Sequence, residues 1–454
     1  MTEQARVREN EPKSYQELLA QDSREVPANI ARRGVTDIGP AEIPTSWYLD
    51  PEIYKLEIER LWKRSWQMVC REEDIRDIGD TWVYDVASLS FVVVRSDTDT
   101  VQAFYNSCLH RGRPLRDCPG RTSQLKCTFH GFTWSLKGEL LGVPSREGFP
   151  TITKEGFRLP EAKVALWEGF VFINPDPNAE PFEDYIGTLT SEFARSPMKS
   201  KKKILHVSKV WPANWKVINE AFLEAFHVQT THPQWLPAYA EHLHQLDVFG
   251  NYSRLIIPAG TPSQQLRWTP TEQDILRSVI GVADDAALDV EIPTGGNVRQ
   301  SIADVLRGQA RPMIGDEADK FCDTEFLDIH RFTLFPTFAP SFSPTVSIIY
   351  SFKPVGTDPS QGLMEIIVLA PWKEGEEPPR VTERRLSDAE QFSDVPELGM
   401  LGAVLNQDTG ILNYMMRGLA NNERGKVVFA AYPELKIRHF YQLYMEKMGL
   451  ELPA

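Results

Sequence analysis

The sequence contains, at residues 108–131, the stretch CLHRGRPLRDCPGRTSQLKCTFHG. It begins with C-L-H at 108–110 and closes with C-T-F-H at 127–130, so each end pairs one cysteine with one histidine at short spacing. Gly112 and Gly131 follow the two pairs, and glycine lets a backbone turn closely around a bulky group. The stretch therefore predicts two similar loops, each presenting a thiolate and an imidazole.

Two thiolates and two imidazoles in such loops suit a Rieske [2Fe–2S] cluster, in which Cys108 and Cys127 hold one iron and His110 and His130 hold the other. Imidazole ligands raise the reduction potential from about −400 mV to roughly −150 to +300 mV, so electrons can pass to a more oxidising acceptor. A structural zinc site is the first alternative, but zinc fingers group the two Cys together and the two His together. Unrelated thiols and core histidines are the second alternative.

A second group of candidate ligands lies in residues 214–233, NWKVINEAFLEAFHVQTTHP. Glu224 and His227 are three residues apart, so on a helix they share one face. Pro233 disfavours helical backbone at His232, and a helix interrupted there would return His232 toward His227. The alternative is an ordinary helix whose histidines cap it or face solvent.

Asp408 is the candidate third ligand, because a non-haem Fe(II) triad combines two histidines with one carboxylate. Its segment predicts a helix, and Asp408 falls on the apolar stripe of that helix. The stripe consists of Leu401, Leu405, Leu412, Met415 and Leu419. A buried carboxylate is costly unless it is neutralised, paired or bound to metal, and pairing with Arg417 is the alternative to metal binding. His242 and His244 form a further pair, whose polar neighbours predict an exposed position.

These motifs together resemble the large (α) subunit of the Rieske non-haem iron oxygenases, the aromatic ring-hydroxylating family. The resemblance covers residues 46–440, and the cluster loops and residues 214–232 are its most specific parts. It implies that His227, His232 and Asp408 bind a mononuclear Fe(II) as a 2-His-1-carboxylate triad.

The resemblance also implies a terminal oxygenase that inserts oxygen from O2 into a small apolar substrate, aromatic or polycyclic, by ring hydroxylation or cis-dihydroxylation. Electrons would come from NAD(P)H through a separate reductase, with or without a ferredoxin. Glu224 would link His227 to His130 of a neighbouring chain, which requires a ring, commonly a homotrimer, with or without a small β subunit. Monooxygenation and O- or N-demethylation are the alternatives, and an electron carrier without oxygenase activity is a more remote one.

The composition argues against several classes of partner and location. A formal net charge of −14 does not favour nucleic acid or an anionic membrane surface. The sequence has neither a run of roughly eighteen apolar residues nor an apolar leader, so we expect no membrane span, no secretory signal and a cytoplasmic location. The five cysteines are scattered and do not predict a disulfide framework, and Cys118 is expected to be a free thiol in a turn.

The order of the predicted elements indicates an α+β protein in three parts. Residues 1–62 form an N-terminal arm and helix, and residues 63–175 form a Rieske [2Fe–2S] β domain of short strands. Residues 176–454 form the catalytic domain, which is predicted to be helix-grip-like, with an antiparallel sheet and helices.

Three local patterns lead to further expectations. Residues 1–44 are polar and predict a loosely held arm. Asp50-Pro51 opens a helix predicted over residues 52–67, with Asp as the N-cap and Pro in the first turn. Residues 262–320 are rich in Asp, Gly and Pro, and we expect them to be irregular.

Overall fold

The computed structural model of the protein describes residues 14–281, 292, 296–373, 375–378 and 380–452. The first part of the predicted arm, residues 1–13, and residues 282–291 and 293–295 of the predicted irregular segment lie outside the described residues. Antiparallel sheets and helices in separate stretches of the chain confirm the α+β class.

The N-terminal part builds one large sheet and one small one. The strands of the large sheet are β2 (Gln67–Arg71), β3 (Asp80–Val86), β4 (Leu89–Asp97), β5 (Thr100–Tyr105), β6 (Gly120–Arg121), β10 (Glu161–Trp167) and β11 (Phe170–Asn174). Their order is β2-β11-β10-β5-β4-β3-β6. The small sheet joins β7 (Leu125–Lys126), β8 (Thr133–Trp134) and β9 (Leu140–Gly142). Residues 91–94 of β4 are fully buried, as a continuous apolar run covered on both faces requires.

The C-terminal part builds an eight-stranded sheet. Its strands are β12 (Lys201–Trp211), β13 (Gln245–Phe249), β14 (Tyr252–Ile257), β15 (Ile329–Leu334), β16 (Ala339–Phe342), β17 (Ser347–Pro354), β18 (Gly362–Pro371) and β19 (Arg384–Leu386). Their order is β13-β14-β15-β16-β17-β18-β12-β19, antiparallel except for the β12–β19 pair. A separate two-stranded ladder joins β1 (Glu42–Pro44) to β20 (Lys426–Val428), which ties the N-terminal part to the C-terminal part.

Most of the described helices belong to the N-terminal segment and the catalytic part. They are α1 (Tyr15–Leu19), α2 (Ala28–Ala31), α3 (Ser46–Leu49), α4 (Pro51–Glu57), α5 (Phe182–Ile186), α6 (Leu189–Glu192), α7 (Trp215–Glu220), α8 (Val228–Thr231), α9 (Glu272–Ile280), α10 (Val298–Ile314), α11 (Asp323–Leu327), α12 (Met400–Gly410), α13 (Leu412–Ala420) and α14 (Leu435–Met448). The last of these, α14, packs against β13 and β14. None of the described helices is both long enough and apolar enough to cross a bilayer.

Helix α4 begins as predicted and ends earlier than predicted. The Asp50 carboxylate accepts the Glu52 N–H at 2.8 Å, and Pro51 occupies the first turn. The α-helix stops at Glu57 and continues as a π-helical turn over Ile58–Trp62. The predicted end at residue 67 is wrong, because Gln67 already pairs with Ile173 in the large sheet.

Two segments are more ordered than their composition predicts. Residues 14–31 bury Tyr15, Leu18 and Ile30 against the catalytic part, so the prediction of a loosely held arm is wrong for the described residues from 14 onward. Within 262–320, α9 and α10 replace the predicted irregular chain. Helix α9 starts at a capping box, in which Thr271 and Asp274 bond each other's backbone, and such local capping does not depend on overall composition.

One apolar core joins the two large sheets. It contains Val93, Ala103 and Val171 from the N-terminal sheet, and Val207 and Ile366 from the C-terminal sheet. The sheets are therefore packed through a common interior. The domain boundaries near residues 62 and 175 stay a prediction, because strand pairing alone does not define them.

Candidate metal centres

The two Cys/His loops adopt the same hydrogen-bonded turn. In the first, the Cys108 N–H donates to the Arg113 carbonyl and the Gly112 N–H donates to the Cys108 carbonyl, each at 2.8 Å. In the second, the Cys127 N–H donates to the Phe132 carbonyl at 2.8 Å, and the Gly131 N–H returns to Cys127 at 3.0 Å. Both glycines have positive φ, +80° and +77°, which glycine adopts without strain.

The loops bring their sulfur and nitrogen donors together as two pairs. Cys108 and Cys127 are both buried, and burial, together with the neighbouring Cys127 thiol, raises the pKa of the Cys108 thiol. The His110 and His130 rings lie 4.6 Å apart between centroids. The Nδ1 atom of His110 is buried without a hydrogen-bond partner among the described residues. A buried ring nitrogen left open beside a thiol pair fits a metal cluster, because such a group is costly unless something binds it.

The arrangement favours a two-metal cluster over one zinc ion. The described residues contain one group of three or more His, Cys, Asp or Glu side chains whose ligand atoms all lie within 4.8 Å of one another. That group is not the Cys/His set of the loops. A single tetrahedral zinc would require its four ligands to converge on one point. The loops instead offer a thiol pair and an imidazole pair, the donor set of a Rieske cluster.

The group that does converge consists of His227, His232 and Asp408. Helix α7 ends at Glu220, the chain turns, and His227 stands immediately before α8. Helix α8 ends at Thr231, and His232 caps it, next to Pro233. This short interrupted helix places the two imidazole rings 5.3 Å apart between centroids.

Asp408 reaches the two histidines from α12. Its Oδ1 atom lies 2.7 Å from Nε2 of His232 and 3.4 Å from Nε2 of His227. The carboxylate is buried, as its position on the apolar stripe predicts. The contacts of Asp408 are with histidines rather than with Arg417, whose guanidinium lies near the Tyr414 ring. The stripe itself breaks, because α12 ends at Gly410 and α13 starts at Leu412.

The Asp408 carboxylate and the two histidines stabilise one another's charged forms even without a metal ion. Burial disfavours protonation of His227, but hydrogen bonds to Asp408 and Glu224 outweigh burial and raise the pKa of His227 to about 9. Burial likewise works against an ionised Asp408, but hydrogen bonds from His227 and His232 outweigh it and lower the pKa of Asp408. A site that gathers a carboxylate and two imidazoles in this way fits a divalent cation such as iron.

Each histidine is also held on its far side. The Nδ1 atom of His227 lies 2.5 Å from Oε1 of Glu224, whose other oxygen accepts the His227 backbone N–H at 3.0 Å. The Nδ1 atom of His232 lies 2.9 Å from Oε1 of Gln407. Such outer contacts orient a ligating imidazole and fix which nitrogen faces the metal. Glu224 and His227 meet through a turn, so the prediction that they share a helix face is wrong, although the pair is in contact.

Spacing along the chain gives no signal for the role of Gln407, because the partner of His232 is set by the approach of α12. The prediction that His242 and His244 are exposed is wrong for His244, which is buried and stacks on Tyr432. The N-terminal segment covers this region, and Gln16 donates to Gln245 at 2.7 Å.

A cavity adjoins the His/His/Asp group. Its remaining wall is mostly apolar and aromatic, with one arginine: Ala221, Phe222, Val228, Trp235, Ile257, Ile329, Arg331, Tyr350, Leu401, Val404 and Leu405. The cavity is small, about 30 Å³, but its concave, largely apolar lining with a few polar groups is of the kind found in small-molecule sites.

A wider groove lies away from both ligand groups, between β3 and the residues that precede β19. Its charged side chains pair with one another: Lys203 pairs with Asp74, and Arg380 lies 3.8 Å from Asp80. The described lining of the groove contains neither histidine nor cysteine, so the groove does not offer the imidazole and thiolate ligands of the two candidate centres.

Comparison with protein-family models gives two matches. Residues 198–450 match the ring hydroxylating alpha subunit (catalytic domain), and residues 65–153 match the Rieske [2Fe-2S] domain.

Curated relatives match over part of the chain. The glycine betaine monooxygenase oxygenase subunit of Chromohalobacter salexigens is 28% identical over 241 residues, which cover 51% of this chain and 54% of the relative. The chlorobenzene dioxygenase subunit alpha of a Cupriavidus species is 32% identical over 193 residues, which cover 40% and 42%. The chain thus spans about half the length of the curated relatives it matches.

Solved structures match over nearly the whole chain. A quaternary ammonium Rieske monooxygenase superposes with a TM-score of 0.65 at 19% identity, over 94% of this chain and 99% of the other. Naphthalene 1,2-dioxygenase from a Rhodococcus species gives 0.62 at 20% identity, over 91% and 95%. At these identities the likeness shows the fold alone.

Proposed function

The chain belongs to the family of ring-hydroxylating oxygenase alpha subunits. We propose that it is the terminal oxygenase of a multicomponent system, and that it acts on a small, largely apolar substrate, aromatic or polycyclic. It is a Rieske non-haem iron oxygenase, whose two parts bind a [2Fe–2S] cluster and a mononuclear iron. The convergence of His227, His232 and Asp408 beside an apolar cavity is the observation that carries the proposal.

Within this proposal, the four residues of the two loops hold the cluster. Cys108 and Cys127 bind one iron, and His110 and His130 bind the other. The matching loop geometry, the buried thiol pair and the open Nδ1 of His110 support this assignment. His227, His232 and Asp408 bind the mononuclear iron, which the common placement of their ligand atoms supports.

The bound cluster supplies single electrons, and the bound mononuclear iron supplies the centre at which O2 reacts. The residues of the chain orient the iron-binding side chains and shield the site from water. Glu224 and Gln407 hold the Nδ1 sides of His227 and His232, so that both Nε2 atoms face Asp408. Phe222, Trp235 and their apolar neighbours exclude water and hold the hydrophobic body of the substrate next to these nitrogens.

Glu224 is the proposed bridge between the two centres. Its contact with His227 supports one half of the bridge. The other half is His130 of a neighbouring chain, which gives a homotrimeric ring, with or without a small β subunit. The electrons come from NAD(P)H through a reductase and, where present, a ferredoxin.

Monooxygenation or demethylation is the second candidate function, and similarity to a monooxygenase subunit supports it. The matched relatives include a glycine betaine monooxygenase subunit as well as a chlorobenzene dioxygenase subunit. The same triad serves both outcomes, because the ligands fix the iron and the substrate decides which bond meets the oxidant.

The test combines metal content with product analysis. The purified protein should hold a two-iron cluster with acid-labile sulfide, give a Rieske-type EPR signal on reduction and contain one further iron. Turnover with ¹⁸O2 and a reductase should place two labelled atoms in a dihydroxylated product, whereas one labelled atom or released formaldehyde would indicate monooxygenation or demethylation. Stoichiometric zinc without the EPR signal would contradict the oxygenase, and a cluster without mononuclear iron would indicate an electron carrier.

A further inference from the structure

Arg331 is a cation in the wall of the catalytic cavity. It lies on β15, where side chains alternate between the two faces of the sheet. Ile329 and Arg331, two positions apart, both line the cavity that contains His227 and Asp408. Phe332, the next residue along the strand, lies on the opposite face and belongs to a separate apolar core. The strand therefore directs the guanidinium of Arg331 toward the reaction site.

This guanidinium has no anionic partner among the described residues. The side chain of Arg331 makes neither a hydrogen bond nor an ion pair there, and its Nε atom is buried without a partner. Its Cζ atom lies 5.0 Å from the Tyr350 ring centroid and 5.8 Å from that of Phe222. Aromatic faces attract a cation, but they do not accept the directed N–H bonds that a guanidinium offers.

Fully buried arginines elsewhere in the described chain are paired with carboxylates. Arg254 lies 2.7 Å from Asp247, Arg299 lies 2.9 Å from Asp328, and Arg307 lies 2.9 Å from Asp323. Such pairing is the rule, because a buried charge without a counter-ion is costly. Arg331 is half-buried rather than fully buried, but its side chain has no such carboxylate partner, and a ligand in the cavity can provide one.

Nearby groups do not supply the counter-ion. Glu224 is engaged by His227, and Asp408 is engaged by both histidines. Lys436 is buried and donates to Thr333 at 3.1 Å, and burial followed by the charge of Arg331 lowers its pKa. Arg331 is therefore a cation without a carboxylate partner of its own, because the two carboxylates that line the same cavity, Glu224 and Asp408, are held by the histidines.

We propose that Arg331 binds the carboxylate of an anionic substrate, so that the enzyme oxygenates an apolar organic acid rather than a neutral hydrocarbon. The inference rests on the proposed oxygenase function and specifies its substrate class. The planar guanidinium presents paired N–H donors that match a carboxylate, and the Tyr350 and Phe222 rings support its plane. The carboxylate fixes one end of the substrate, and the cavity, about 30 Å³ in this ligand-free structure, widens to admit the apolar remainder beside the triad.

The first experiment compares acids with their methyl esters. Benzoate, phenylacetate and 2-naphthoate are titrated into the holoenzyme beside the three esters by calorimetry, and each is offered to dithionite-reduced holoenzyme with O2 in single turnover. At least one acid should bind about 10-fold to 100-fold more tightly than its ester, as a charge-assisted bidentate bond provides. Arg331→Met should abolish this difference, Arg331→Lys should keep part of it, and Arg385→Met, an exposed arginine on β19, should leave it unchanged.

The second experiment needs no substrate. If Arg331 is a recognition residue without a partner, Arg331→Met removes an uncompensated charge and should raise the melting temperature of the ligand-free holoenzyme by roughly 2 °C or more, relative to Arg385→Met. A structural arginine would give the opposite shift. Where no panel member binds, this comparison alone decides, and a lowered melting temperature overturns the inference.

The failures of the two proposals are distinguishable. Esters that bind and react as well as their acids, or an acid preference that survives Arg331→Met, would overturn the role of Arg331 and leave the oxygenase intact. A holoenzyme without mononuclear iron would overturn the oxygenase itself, whatever the binding data show.

Discussion

The cluster loops and the iron-binding group differ in how far along the chain their residues lie. The loops lie within residues 108–131, and each closes on itself through its own backbone hydrogen bonds. The iron-binding group joins His232 to Asp408, which is 176 positions away, and depends on how α12 packs against the helices that follow β12. A locally closed site can be recognised from spacing, whereas a site assembled from distant segments depends on the whole fold.

The largest expected effect is the selective loss of one centre. Asp408→Ala and His227→Ala should lose the mononuclear iron and all oxygenation while keeping the visible and EPR spectra of the cluster, because they leave the loops intact. Cys127→Ser should lose the cluster. Iron and sulfide analysis of the purified variants measures both. Cys118→Ser and His242→Ala are matched controls that should keep both centres, and full turnover by Asp408→Ala would remove Asp408 from the triad.

The next effect tests whether the two regions communicate. Glu224→Gln keeps every proposed ligand but weakens the contact with His227, so both metal contents should persist while turnover falls by about 10-fold to 100-fold, the usual range for such outer contacts. Steady-state turnover with matched metal analysis checks this.

Mixed assembly tests whether that communication crosses between chains. Co-expressed Cys127→Ser and His227→Ala chains each lack one centre, so a ring with electron transfer between neighbours should recover part of the activity. Mixed oligomers of confirmed composition without any recovery would indicate that each chain uses its own cluster.

A smaller effect is expected at Gln407. Gln407→Ala removes the acceptor for Nδ1 of His232, so iron affinity should fall by roughly 10-fold while cluster content stays constant. Iron retention during chelator dialysis measures the affinity. Gln264→Ala, at an exposed position, is the control, and equal iron loss in both variants would show that Gln407 does not orient His232.

The smallest effect on turnover is expected at Glu220, at the end of α7. Burial raises its pKa from 4.5 to about 7, although hydrogen bonds from Tyr441 and Tyr48 act in the opposite direction. The folded state therefore binds a proton that the unfolded state releases, and this group's contribution to stability falls as pH rises from about 4.5 to 7, by about 3 kcal/mol. Glu220→Gln should flatten the pH dependence of the urea midpoint over that range, and an unchanged slope would contradict it.

The same contrast explains what the sequence predicts. The strands around residues 91–94 and the start of α4 follow from local patterns, namely an apolar run and an Asp-Pro cap. The family was identified from two local motifs. The end of α4 could not be predicted, because the pairing of Gln67 with a strand more than a hundred residues later ends the helical stretch.

The iron-binding site, too, could be predicted from local patterns only in part. Asp408 was predicted because an acid on an apolar stripe is anomalous, but its approach to His232 comes from tertiary packing. The polar composition of residues 1–44 predicts a loose arm. The few apolar side chains of residues 14–31 are buried through contact with Leu243 and Ile256 of the catalytic part, which composition does not reveal. The partner of Gln407 and the aromatic neighbours of Arg331 are likewise set across the fold, and spacing along the chain contains no signal for them.

The common core of the two large sheets matters for engineering. Val93 and Val171 share an interior with Val207 and Ile366, so cutting the chain near residue 175 would open apolar surface on both fragments. A chimera that takes its cluster part from another oxygenase would need matched substitutions on the catalytic side of this core. Exchanging only the segment 108–131 leaves the core untouched, and this is the smaller unit through which the redox properties of the enzyme can be transplanted.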